Sequence, residues 1–357
     1  MSANPATQVL DAASARQPDR RAPSWPEPGL VVTRTPLRVS FAGGGTDLPS
    51  FYERGYGAVL STAIDKYLYV TVKRHGALFN EGFRLNYSQT EQVQRLDEVK
   101  NNIARECLRF LDVEPPVYIS TVADLPEFSG LGSSSSFAVG LLNALHAFRG
   151  ERISAGQLAE EASRIEIDVL GRPIGKQDQY AAAFGGLNFF RFLPDGQVTV
   201  EPQRFSGGAL ERLFDHLLMF WTGIRRDSTS VLAEQQRNTE QRLEELSAMR
   251  DHAQQLQAMM RGDFDPLEFG RVLDATWTFK RRLASNMTNE RIDGWYRKAK
   301  AAGAAGGKLC GAGGGGFLLF VASPAHRRAV RGTLRDLMEV PIRYESQGSR
   351  LLLPFVE

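Results

Sequence analysis

Residues 126–139 read PEFSGLGSSSSFAV, a turn rich in small residues that runs into an apolar helical pattern. Phe137, Leu141, Leu145 and Phe148 recur there at three- to four-residue spacing. Small residues let backbone N–H groups come close to a ligand, and a helix N-terminus adds partial positive charge. The stretch is therefore a candidate phosphate cradle, with the four hydroxyls of Ser133, Ser134, Ser135 and Ser136 available to cap the helix or meet a metal ion. The plainer alternative is a Ser-capped helix after a loop. Two glycines and four consecutive serines weigh against it.

Composition narrows the classes around this motif. A length of 357 residues suggests about two domains. The hydrophobic fraction of 42% suffices for ordinary cores, and a net charge of +2 gives no argument for nucleic acid or a membrane surface. Cys107 and Cys310 stand far apart without zinc-like spacing, which suits a reducing compartment. Residues 1–30 are rich in Ala, Pro, Ser, Arg and Gln and are expected to form a disordered tail. No run reaches the ~18 apolar residues of a membrane span. The expectation is a soluble, cytoplasmic protein.

Outward from the cradle, strand-like segments come first. LVVTRTPLRVSFAG (30–43) carries Pro36, which implies an edge or a bend, and breaks at Gly43-Gly44-Gly45-Thr46-Asp47. Segments 57–64 and 67–73 read as two further strands, 83–87 as a short one, 101–111 as a helix and 117–122 as the strand entering the cradle. Ser154 with Gln157 predicts a helix start, and Gly171 with Pro173 its end. Glu166 falls in the last two turns of that helix, where a solvated surface position is as good a reading as a functional one. Asp178 precedes a small-residue helical pattern and by itself reads as a cap. Beyond residue 203 the chain gives a buried strand at 217–222, a basic turn at 223–230, and a polar helix through 235–260.

Lys308 to Val321, KLCGAGGGGFLLFV, contains a literal G-x-G-x-x-G at Gly311, Gly313 and Gly316. A dinucleotide fingerprint must open a helix, and here a strand follows. A Walker A loop fails because residue 302 is Ala and Leu309 replaces the hydroxyl residue. Neither H-R-D nor D-F-G follows, which removes the protein kinases.

Three stretches together, TPLRVSFAGGGTD, PEFSGLGSSSSFAV and KLCGAGGGGF, resemble in order and spacing the three motifs of the GHMP kinases. The resemblance covers the chain from about Arg34 onward. It implies an α+β, two-domain GHMP kinase fold: an N-terminal domain at 31–202 similar to ribosomal protein S5 domain 2, and a ferredoxin-like C-terminal domain at 203–357. It implies ATP and Mg²⁺ as cofactors and a small sugar phosphate as partner, with no nucleic acid or membrane; a homodimer stays open. Gly130, Leu131, Gly132 and Ser133–Ser136 would cradle ATP phosphates. Ser134, with Ser133 as the less sure choice, would join Glu166 as metal ligand, Asp178 would be the base, and Arg38 would support it. Gly44, Gly45, Thr46, Asp47, Gly313 and Gly314 would hold the sugar. Galactokinases carry Glu-His where this chain has Gly44-Gly45, which argues against galactose. Finer wording, including WTGIRRDS, resembles the branch acting on the anomeric hydroxyl of D-glycero-D-manno-heptose 7-phosphate. Arg226 is then the first candidate for the substrate phosphate, with Arg225 or Lys280 next. A fucokinase-like enzyme on an unphosphorylated sugar and a catalytically silent sensor are the alternatives.

Overall fold

The computed structural model describes residues 8–10, 29–76, 78–127, 129–204, 208–225 and 229–355. Its first layer grows from β2 (Leu30–Ala42) and β3 (Gly57–Arg74), paired antiparallel along most of their length. Burial in β2 alternates up to Arg34 and then becomes continuous. The change has a packing cause: Val31 faces the helices of its own layer, whereas Leu37, Val39 and Phe41 also meet the second layer through Met219, Phe269 and Phe317.

Segments 57–64 and 67–73 were expected as separate strands, yet β3 runs unbroken through polar Asp65 and Lys66. Asp65 is held by its own backbone bond to Arg343 O (3.0 Å) and by the Arg343 N–H donated to its carboxylate (2.8 Å). Pro36 takes the bend, at a register shift between Pro36 and Leu37. On its other edge β3 pairs first with β7 (Leu187–Phe192) and then with β6 (Val117–Ala123). β7 pairs with β8 (Val198–Pro202), and β8 with the short β1 (Gln8–Leu10), which lies within the stretch expected to be a tail. β6 runs parallel to β4 (Phe83–Asn86), which forms a hairpin with β5 (Thr90–Val93).

Five helices complete this layer: α1 (Pro49–Tyr52), α2 (Asn102–Phe110), α3 (Ser133–Phe148), α4 (Ala155–Ser163) and α5 (Gln177–Phe184). Beyond its first turn α3 is apolar apart from Asn143 and His146, and it is buried from Ala138 to Leu142. The Ser154 side chain caps α4, accepting from Gln157 N at 3.1 Å.

The second layer is a four-stranded antiparallel sheet in the order β10 (Ala304–Leu309), β11 (Phe317–Ala322), β9 (Leu217–Trp221), β12 (Met338–Glu339). Chain order is strand, helices, strand, strand, helix, strand, the ferredoxin-like arrangement. Its helices are α6 (Ala209–His216), α7 (Thr229–Arg237), α8 (Leu243–Met259), α9 (Pro266–Lys280), α10 (Glu290–Ala301) and α11 (Pro324–Thr333). The single helix expected through 235–260 is interrupted by a 3₁₀ turn at Thr239–Arg242. Tertiary bonds make the break: Asn238 donates to Leu283 O (3.2 Å), and buried Thr239 meets the Ser50 hydroxyl (3.2 Å).

Two further features tie the layers. Lys308 on β10 is buried and donates to Ser40 O (2.6 Å) and Phe41 O (3.0 Å) of β2. Burial pushes its ammonium well below the ordinary lysine value. β13 (Arg350–Phe355) returns from the second layer to pair with β2. Among the described residues, no helix is long and apolar enough to cross a membrane.

Candidate active site

The cradle has the form that its composition suggests. Gly132 stands before the first turn of α3 at φ 78°, a left-handed conformation that glycine adopts without strain. A side chain there would sit 3.3 Å from Arg38 Cγ and 3.4 Å from Asp178 Oδ2. A Cβ on Gly311 would lie 2.4 Å from Gly130 Cα, so the serine loop and the third glycine stretch press backbone against backbone. The first-turn N–H groups of α3 have no partners within the helix and, with the helix dipole, favour an anion.

Arg38 and Asp178 meet across 140 residues of chain. Arg38 Nε and Nη2 each donate to the Asp178 carboxylate at 2.7 Å, and Nη1 donates to Gly130 O at 2.8 Å. The two-pronged pair fixes the carboxylate plane, and Asp178 lies in the first turn of α5 rather than before it, where the helix dipole favours negative charge. Lys280, at the end of α9, is buried and donates to Gly311 O. Burial pushes its ammonium down to about 8.

Glu166 occupies the first turn of a π-helical segment, Arg164–Val169, that extends α4. Such turns concentrate at functional sites. Its carboxylate has no exposed surface. The Ser134 hydroxyl donates to Oε1 (2.5 Å), Arg172 Nη1 to Oε1 (2.9 Å) and Gln179 Nε2 to Oε2 (2.7 Å). Arg172 Nη1 also reaches Ser134 Oγ at 2.5 Å. No group of three or more His, Cys, Asp or Glu side chains among the described residues could hold a metal. A cation here would rely on Ser134 and Glu166 plus ligand oxygens. That hard oxygen pair fits Mg²⁺, which takes few protein ligands.

These groups line one cavity of about 790 Å³. Its lining includes the largely apolar Leu68, Tyr87, Leu125 and Phe137 with Asn101, and the polar set Ser40, Asp47, Gln177, Gln235 and Lys280 with Gly44. Arg38, Asp178, Gly130, Gly132 and Ser133–Ser135 line the same cavity. Asp47 is buried, accepting from Gly45 N (2.8 Å), Gln177 Nε2 (3.1 Å) and Gln177 N (3.2 Å). Burial raises its pKa, the Gly45 amide pulls it back, and the charge of Asp178 raises it further.

Other expected site residues face away from this wall. Thr46 is buried, and its hydroxyl donates to Gly43 O (2.8 Å) and Ala58 O (3.0 Å), so it shapes the loop from within. Ser136 likewise spends its hydroxyl on Pro36 O (2.9 Å), Leu131 is buried with its carbonyl on Arg38 N (3.1 Å), and Gly314 N is bound to Met287 O (2.8 Å). Gly45 and Gly313 line the cavity, Arg225 is exposed outside it, and Arg226 lies outside the described residues. Sequence reading missed Arg172, Ser40 and Gln177. Ser40 Oγ and Gln177 Oε1 have no hydrogen-bond partner, and both lie 3.6 Å from where a Cβ on Gly44 would sit.

Residues 97–186 match the family model of the GHMP kinases N terminal domain, and residues 253–340 that of the GHMP kinases C terminal domain. The chain belongs to the GHMP kinases and is an ATP-dependent phosphotransferase. It is 30% identical over 317 residues to the D-glycero-alpha-D-manno-heptose 7-phosphate kinase of Campylobacter jejuni, covering 85% of this chain and 93% of that protein. It is 27% identical over 341 residues to the L-fucokinase/L-fucose-1-P guanylyltransferase of Bacteroides fragilis, covering 82% of this chain and 34% of that longer protein. Among solved structures it is similar to "a D-glycero-D-manno-heptose 1-phosphate kinase from Bacteriodes thetaiotaomicron", with TM-score 0.74 and 25% identity, over 90% of this chain and 99% of that one.

Proposed function

We propose that the chain transfers the γ-phosphoryl group of ATP to the anomeric hydroxyl of D-glycero-D-manno-heptose 7-phosphate, giving the 1,7-bisphosphate. The observation that carries the chemistry is the Arg38–Asp178 pair, set in the cavity beside the N-terminus of α3. The similarity to a heptose 7-phosphate kinase over most of both chains supports the substrate.

The apolar lining residues Leu68, Leu125 and Phe137 suit the adenine ring, and the backbone N–H groups of Gly130–Ser135 suit the phosphates. Asp178 accepts the proton of the attacking hydroxyl, and Arg38 keeps its carboxylate aimed and stabilises charge on the transferring group. Ser134 and Glu166 would hold Mg²⁺, which would supply positive charge to the phosphate oxygens. The sugar lies toward Asp47, Gly44, Ser40 and Gln177. Gly44 puts no side chain beside Ser40 and Gln177, Gln235 Nε2 fills the place a side chain on Gly45 would take, and Lys280 adds positive charge to the lining. In-line attack then breaks the bond to ADP.

ADP formation measured with heptose 7-phosphate, heptose 1-phosphate, L-fucose and galactose tests the substrate. Turnover with the 7-phosphate is expected. Turnover with free sugars alone would replace it by a fucokinase-like activity, the reading that the similarity to L-fucokinase favours. Sugar and ATP binding without any ADP would point to the silent sensor.

A further inference from the structure

We infer that Arg172 is an exchangeable counter-cation on Glu166, and that the divalent cation accompanying the nucleotide takes its place on the Ser134–Glu166 oxygen pair. The inference rests on the kinase reading and concerns how that metal site is held and opened. Glu166 has no exposed side-chain surface, so a cation reaches its Oε1 atom when one of the covering groups gives way. Gln179 is fully buried within α5, and Ser134 is the other oxygen donor. Arg172 differs from both. Its side chain is 29% exposed, it follows Gly171 (φ 63°) in the connection from the π turn to α5, and its second terminal nitrogen rests on Asn102 Oδ1 at 3.2 Å.

The chemistry of the pair gives the exchange a reason. A buried carboxylate without a counter-charge is costly, so Glu166 needs a cation at all times. The guanidinium meets that need by donating to Ser134 Oγ at 2.5 Å and to Glu166 Oε1 at 2.9 Å. Ser134 Oγ and Glu166 Oε1 are 2.5 Å apart. Once Arg172 has left, Ser134 Oγ and Glu166 Oε1 would be free to part and offer both oxygens to a hard divalent cation. Arg172 lines the same cavity as the serine loop. Its planar fork, once freed, matches phosphate oxygens better than a lysine would. One positive charge thus leaves the carboxylate for the nucleotide as another arrives.

The test is Mn²⁺ titration of the protein without nucleotide, read by loss of the free-Mn²⁺ resonance signal. Arg172→Ala is expected to tighten Mn²⁺ binding by about ten-fold or more, and adding Glu166→Gln to that variant should abolish the gain. Asn102→Ala, which loosens the outer anchor and leaves every oxygen donor in place, should shift affinity the same way by about three-fold, and it serves if Arg172→Ala does not fold. With ATP and sugar present, both variants should reach half-maximal rate at lower Mg²⁺. Unchanged or weaker Mn²⁺ affinity in the folded variants would overturn the inference. The titration needs no turnover, so a failure of the kinase reading would show separately, as absent ADP formation.

Discussion

Asp178 has two bonds of 2.7 Å to a buried arginine, which makes it both a chemical group and a structural one. Asp178→Asn keeps the size and one acceptor oxygen but removes the basic carboxylate. Turnover should fall by about a thousand-fold with the affinity for ATP nearly unchanged, because the phosphate loop does not depend on that charge. Rate and nucleotide-binding measurements on the same preparation check this, and near-normal rates would remove Asp178 from the base role. At this scale the sequence was informative wherever a short motif carried the chemistry. Ser134 sits inside a contiguous stretch whose composition is unusual, whereas Asp178 by itself read as a helix cap and, like Arg38, took its expected role from the family resemblance. Arg172 and Gln177 gave no such signal, because their meaning comes from contacts to Ser134 and Asp47, far off along the chain. Four serines in a row could not reveal which hydroxyl meets Glu166. The helical turn decides it, pointing Ser134 at the carboxylate and Ser136 at Pro36 O.

Among elements, α3 links the cradle at one end to a charged clamp at the other. His146, in its last turn, meets Glu151 Oε2 through Nδ1 (2.6 Å) and Glu161 Oε2 through Nε2 (2.7 Å). Burial alone would lower the imidazole pKa, but the hydrogen bonds and charges of Glu161 and Glu151 outweigh it and raise the value above 6.5. The contribution to stability is therefore full below about pH 6.5, the ordinary histidine value, and fades as pH rises through the higher folded-state value. His146→Gln should cost about 2 kcal/mol at pH 6, from charged hydrogen bonds, and progressively less above neutrality. Denaturant midpoints of both proteins across pH 5.5–9 measure it, and a gap that widens with pH would contradict the clamp. Element boundaries were less legible than element types. Nothing local marks β3 as one strand through Asp65, since the partner that holds Asp65 is Arg343. The break between α7 and α8 depends likewise on Leu283 and Ser50.

Across the whole molecule, the position of the third glycine stretch relative to the first depends on Lys308. The sequence placed this residue next to a failed phosphate motif, and its use is internal, two bonds to carbonyls on a strand of the other layer. Lys308→Met would fill similar space while leaving Ser40 O and Phe41 O without their donor. A loss of about 2–3 kcal/mol is expected, along with lower kcat, because both glycine loops border the reacting centre. Urea unfolding and steady-state rates test it, and a fully stable variant would show that the strut is dispensable. The two-layer α+β architecture was readable because motif order and strand–helix order agreed. The return of β13 to β2 was not, since its short apolar run carries no address.

That return has a consequence for biosynthesis. β2 is made early, but its partner β13 is made roughly 300 residues later, which at about 5–20 residues per second leaves β2 waiting some 15–60 s on the ribosome for its final neighbour. The nascent chain carries an unfinished sheet margin through that interval. It is then open to pairing with neighbouring chains or to capture by chaperones, until the last strand emerges and closes it.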